Sequence, residues 1–291
     1  MNLFNIIEEI EKVDPEFTER INPRRAAIKN ITSFGSKVAI ASLPFALGTM
    51  FKKAYGASTS SATASVTDVL NFALTLEYLE SYFYNQGTAS NGLIPAADGS
   101  YIADITNDEN AHVTFLKGVI TSLGATPVTS PTFDLTAGNG SGKGPFADVL
   151  SNYQTFLAVA ETFEDTGVRA YKGQAPNLAG NQVVLTAALS IHAVEARHAS
   201  AIRQLRTKKG FASVAPWITS TTSNGNDTGI SLVDANYKGE NNYIQAGIDL
   251  TTLPSGVPGQ KASVASATAA FDEPLGMADV LALLVGTFIV H

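Results

Sequence analysis

Two segments of the chain carry the same four-residue pattern, Glu109-Asn110-Ala111-His112 and Glu195-Ala196-Arg197-His198. Each sets a carboxylate and an imidazole three positions apart. On a helix that spacing puts both on one face, close enough to act together. Two more acids, Glu77 and Glu164, stand inside otherwise apolar stretches. Together these residues offer four carboxylates and two imidazoles. Such donors suit a pair of metal ions, iron first and manganese second, and ligand identity alone does not choose between them. Four carboxylates buried without cations would each cost several kcal/mol, roughly, or would take up protons. A bound dication removes that cost because it favours the ionised ligands.

The spacing also repeats. Glu77 and Glu164 are 87 positions apart, as are Tyr84 and Tyr171. Glu109 and Glu195 are 86 apart, as are His112 and His198. Two helical hairpins related by a pseudo-two-fold would bring two equivalent half-sites together. The expected metal ligands are therefore Glu77, Glu109, His112, Glu164, Glu195 and His198, with Glu77 and Glu164 also the expected catalytic carboxylates.

Several neighbours fall outside this symmetric set. Glu80 lies one turn beyond Glu77, but its repeat position is Gly167. Glu161 lies one turn before Glu164, and its repeat position is Leu74. Each is weighed as an extra ligand, with a solvent-facing or outer position favoured. His192 matches Thr106 and is weighed as a ligand, an outer donor beside the ligands or a core histidine, with the outer position favoured. Asp165 is a candidate to orient a ligand histidine. Tyr84 and Tyr171 read first as core aromatics; the alternatives are a hydrogen bond to a ligand carboxylate or the carrying of an oxidising equivalent. His291, at the end of the sequence, is expected to be inert.

These residues need rigid elements to hold them. Apolar residues at helical spacing predict four long helices, at about 66–86, 101–123, 146–172 and 181–209. Glycines 87, 124, 173 and 210 mark their expected ends. Basic residues near the end of the fourth (Arg203, Arg206, Lys208, Lys209) oppose the negative end of the helix dipole. Short links join the first pair and the last pair. The middle link, 125–145, is long and rich in Gly, Pro, Ser and Thr, which suits a crossover along a bundle. Residues 211–272 are rich in Gly, Ser, Thr and Asn and read as an irregular excursion with short strands. An apolar stretch, 274–290, predicts a closing helix packed on the bundle. The expected domains are an N-terminal extension (1–65), the bundle (66–210), the excursion (211–272) and the closing helix (273–291).

The chain has 291 residues, 45% of them hydrophobic, and a formal charge of −7. That hydrophobic share is enough for a folded core and too high for a mainly disordered chain. The acidic balance excludes a protein that neutralises nucleic-acid phosphates. The lack of cysteine removes disulfides, thiolate sites, iron–sulfur clusters and cysteine nucleophiles at once. No glycine-rich nucleotide fingerprint, P-loop or serine nucleophile elbow is present. Near the N-terminus, Arg24-Arg25, an interrupted apolar run and Ala62-Thr63-Ala64 follow in the order of a twin-arginine export signal. Ala27 stands where that motif prefers Phe, and an acidic segment precedes the arginines. Export is the expectation, with a cytoplasmic location the alternative.

The stretches Leu74–Glu80, Glu109…His112, Phe163–Gly167 and His192–His198 resemble the ferritin-like superfamily, in particular bacterial ferritin-like-domain and desiccation-related proteins. The resemblance covers 66–209. It implies an all-α, ferritin-like four-helix bundle with two metal ions, and a fold more firmly than a reaction. Oxygen- or peroxide-linked redox chemistry is the expectation, such as Fe(II) oxidation or peroxide removal, with O2 or peroxide as the small-molecule substrate. A stress-protective protein whose metal site is structural or vestigial is one alternative. A manganese catalase-like enzyme is the other. Oligomeric state is open; a homo-oligomer is allowed, but long additions at both ends of the bundle argue against a storage cage.

Overall fold

A computed structural model describes residues 64–220 and 227–290. The export-signal expectation lies outside them, as does His291. Four long helices form the body: α1 (Val66–Ala89), α2 (Gly99–Ser122), α3 (Tyr153–Leu178) and α4 (Gln182–Lys208). Helix α1 packs on α2, α3 on α4, and α1 on α3, which makes two antiparallel hairpins side by side. The bundle expected from helical spacing is the one observed.

Local chemistry sets the helix starts. Ser65 and Asp68 form a reciprocal capping box at α1, each side chain accepting from the other's backbone N–H. Asn152 accepts from the N–H groups of Gln154 and Thr155 at the head of α3, and Asn181 accepts from that of Val184 at the head of α4. Helix α3 therefore begins at 153 and not at 146. Phe146 and Val149 are buried, but from turns of the crossover. Gly173 does not stop α3 either. A side chain there would strike the Leu275 carbonyl, so the glycine admits a close backbone approach within a continuing helix. Pro176 gives up one backbone bond in the last turn, and the helix closes at Leu178.

Two apolar clusters fill the bundle. One includes Leu79, Phe83, Ile105, Phe156 and Ile202, with Phe83 and Phe156 stacked at 4.6 Å. The other includes Leu70, Leu74, Leu116, Leu178 and Val184. Along every helix, the paired acids and histidines fall between the two sets.

Every residue of α3 from Phe156 to Tyr171 is buried. A helix covered all round needs neighbours on its outer side as well, and the excursion supplies them. It comprises 3-10 turns (Ser231–Tyr237, Leu250–Thr252), an antiparallel pair β1 (Ile244–Gln245) and β2 (Ile248–Asp249), and the short helix α5 (Val264–Thr268). Three buried arginines pin it down. Arg169 pairs with Glu240 at 2.7 Å and donates to the carbonyls of Glu273, Lys238 and Asn236. Arg203 pairs with Asp165 and Asp227 at 2.6 and 2.8 Å. Arg206 pairs with Glu161 at 2.6 Å and donates to the Thr228 carbonyl. Arg203 and Arg206 are thus internal anchors, not surface charges answering the helix dipole.

The closing helix is shorter than expected. Helix α6 spans Met277–Leu284 and contacts α3. Beyond it the chain turns through Gly286, at φ +80°, and lies against the crossover. Asp134 N–H donates to the Phe288 carbonyl, and Val290 N–H to that of Thr132. Phe288 and Ile289 are buried here and Val285 and Val290 half-buried, so an apolar run alone reads as helix where the chain is extended against the crossover.

Candidate metal centre

Each long helix delivers one glutamate to the middle of the bundle: Glu77 from α1, Glu109 from α2, Glu164 from α3 and Glu195 from α4. All four are fully buried. The Glu-x-x-His spacing adds His112 from α2 and His198 from α4. Two overlapping groups result, each with donor atoms within 4.8 Å of one another. The first is Glu77, Glu109, His112 and Glu195; the second is Glu109, Glu164, Glu195 and His198. All six expected ligands are in these groups. Glu109 and Glu195 belong to both.

The contacts follow the pseudo-two-fold. His112 Nδ1 lies 3.1 Å from Glu77, 3.2 Å from Glu109 and 3.2 Å from Glu195. His198 Nδ1 lies 2.8 Å from Glu109 and 3.4 Å from Glu164. The imidazole centroids are 6.4 Å apart. Tyr84 on α1 donates its hydroxyl to Glu164 on α3, and Tyr171 on α3 donates to Glu77 on α1. The tyrosines are therefore not only core aromatics. Each holds the carboxylate of the opposite hairpin, in matching directions. Replacing Tyr171 with Phe frees Glu77 and is expected to weaken metal binding about tenfold or more; competition with a chelator of known affinity reads this directly.

The remaining candidates separate clearly. Glu80 is buried, not solvent-facing. Glu161 is buried too, but it is paired with Arg206 and Arg203 and belongs to neither group. Asp165 orients no histidine; it accepts from Arg203 and from the Tyr237 hydroxyl. His192 Nδ1 meets the Val168 carbonyl at 3.0 Å, so its hydrogen bond is spent on backbone. One partner was missed: His198 Nε2 lies 3.1 Å from Asp108, whose side chain is 51% exposed. Its repeat position is Val194, so symmetry gave no signal for it, and its place one residue before Glu109 reads as a solvent face.

The electrostatics show a site short of positive charge. Burial pushes the Glu77 carboxyl up to about 8. Glu80 and Glu195 are raised further, by burial first and then by the surrounding carboxylates. Glu109 runs the other way: hydrogen bonds with His112 and His198 outweigh burial and hold it down at about 2. Burial would lower His198, yet Glu164 and Glu109 hold it up at about 11. In the cation-free protein, Glu77 binds its proton more tightly folded than unfolded between its ordinary pKa of 4.5 and about 8, so stability falls as pH rises through that window. His198 extends the fall toward about 11. Glu109 contributes stability above its ordinary value that is lost as pH falls toward about 2. Melting of chelator-treated protein is expected to be highest near pH 4.5 to 5 and to decline toward alkaline pH. The decline between pH 5 and 8 is expected to shrink in Glu77→Gln.

The donor set fits a dinuclear cation centre. Glu164 Oε2 and both oxygens of Glu195 are buried without a hydrogen-bond partner. Orphaned buried carboxylate oxygens are costly, and a dication satisfies them. A family profile described as a ferritin-like domain matches residues 65–208. No curated protein matches the chain in sequence.

Proposed function

The chain belongs to the ferritin-like family through residues 65–208, and on that premise we propose that it is a di-iron carboxylate protein that reacts with O2 or peroxide. The observation that carries the proposal is the pair of overlapping ligand groups sharing Glu109 and Glu195. Glu77, Glu109, His112 and Glu195 would hold one ion, and Glu109, Glu164, Glu195 and His198 the other. When bound, two ferrous ions supply the two electrons that reduction of one peroxide to water requires, one from each ion.

The protein's own part is positioning and exclusion. Tyr84 and Tyr171 fix the two unshared carboxylates. The flanking apolar clusters keep bulk water from the centre and so strengthen every charge interaction inside it. Asp108 links His198 Nε2 to solvent and gives a proton a place to enter. Carboxylate and imidazole donors suit iron and manganese alike, and the proposed redox reaction calls for iron first and manganese second.

Anaerobic loading with Fe(II), followed by mixing with peroxide, tests this reading. Rapid oxidation at two ferrous ions per peroxide is expected, slowed severely in Glu77→Ala. Oxidation no faster than that of free Fe(II) would overturn it. Oxygen evolution from peroxide with manganese, and little reaction with iron, would move the chain to the catalase-like reading.

A further inference from the structure

The two hairpins match at the six candidate ligands and the two tyrosines but differ at several neighbours, and one of those differences borders the centre. Glu80 on α1 corresponds to Gly167 on α3, and the mismatch is spatially complementary. A β-carbon built on Gly167 would lie 3.2 Å from Glu80 Oε1 and 3.5 Å from Glu195 Oε2. The missing side chain thus opens a gap on α3, and two carboxylates face it. Glu80 is 4% exposed. Among the described residues, no arginine, lysine, histidine or hydroxyl pairs with it. The charges that bear on it are Glu195, Glu109, Glu77 and Glu164, all acidic. Glu195 brings two orphaned oxygens to the same edge. A small cavity reaches this spot past Leu79, Phe163, Thr166 and Leu284. Nothing in the packing of α1 accounts for a buried acid here, since a leucine would fill the space without the cost of burying a carboxyl.

We propose that Glu80 is a fifth carboxylate of the metal centre, admitted on the Glu195 edge by the gap at Gly167, and that it fits the centre to trivalent ions. This rests on the dinuclear reading above. Four carboxylates balance two dications. A fifth leaves one negative charge over, and the charge is balanced when one ion is trivalent. One additional unit of attraction at close range inside a protein changes affinity by about tenfold or more. The effect acts on charge and needs no particular reaction, so redox-inert ions report it.

The test compares wild type, Glu80→Gln and Gly167→Ala, each with helical content checked by circular dichroism. Mn(II) binding is measured first, then its displacement by Tb(III), followed by terbium luminescence excited through nearby tyrosines. All three proteins are expected to hold about two Mn(II) per chain, as a dinuclear bundle does. Glu80→Gln is expected to lose about tenfold or more of the preference for Tb(III) over Mn(II). Gly167→Ala is expected to shift the same way, because its methyl group displaces Glu80 while alanine is favoured in a helix. An unchanged preference in both variants, with two Mn(II) still bound, would overturn this inference alone. No Mn(II) bound by wild type would overturn the dinuclear reading and this inference with it.

Discussion

Glu195→Gln is expected to strip both ions from the centre, whereas Glu77→Gln is expected to remove one. The difference follows from membership. Glu195 contributes to both ligand groups, while Glu77 contributes to the first alone. Both oxygens of Glu195 lie buried without a hydrogen-bond partner, and its one close ionisable neighbour of opposite charge is His112, itself in the first group. Glu77 is also held by Tyr171, so its loss disturbs one half-site and leaves Glu109, Glu164, Glu195 and His198 in place. Metal per chain should therefore fall from about two to none in the first variant and to about one in the second. Retention of one ion by Glu195→Gln would mean that the half-sites do not share it.

The second large effect concerns the anchor between bundle and excursion. Arg203 is fully buried and pairs with Asp165 at two atoms, with Asp227 at 2.8 Å and with Glu161 at 3.5 Å. Arg203→Ala leaves these carboxylates in a dry interior without that cation. Breaking a buried pair from one side costs roughly 3–5 kcal/mol. Exposed Lys208, five positions along the same helix, is the control; Lys208→Ala is expected to change stability by less than about 0.5 kcal/mol. Chemical denaturation midpoints measure both. A small effect at Arg203 would mean that the excursion is not held by this pair.

The bundle and the six acids and histidines that it brings together were legible because three signals agreed. Helical spacing, the doubled Glu-x-x-His and the 86–87 residue offset all point to one arrangement, and symmetry turns a weak motif into a constrained one. What was not legible lacked a symmetric counterpart or depended on distant chain. Asp108 reaches His198 across 90 positions of sequence and has Val194 as its mate. Arg203 and Arg206 looked like ordinary basic residues near a helix end, because their acidic partners lie on α3 and in the excursion. Gly173 looked like a stop and is a contact with Leu275. The start of α3 was placed early because Phe146 and Val149 are apolar; only Asn152 as a cap separates buried turn from helix. Tyr84 and Tyr171 had the right spacing for either role, and their crossed hydrogen bonds become visible only when α1 and α3 are side by side.

In the proposed centre, four glutamates and two histidines hold two metal ions. Elemental analysis of protein purified without added metal, beside a His112→Ala/His198→Ala double variant, tests it most directly. About two iron or manganese ions per wild-type chain are expected, the count of a dinuclear bundle site, with their loss in the variant. Wild-type protein that takes up neither metal, even after anaerobic reconstitution, would contradict it.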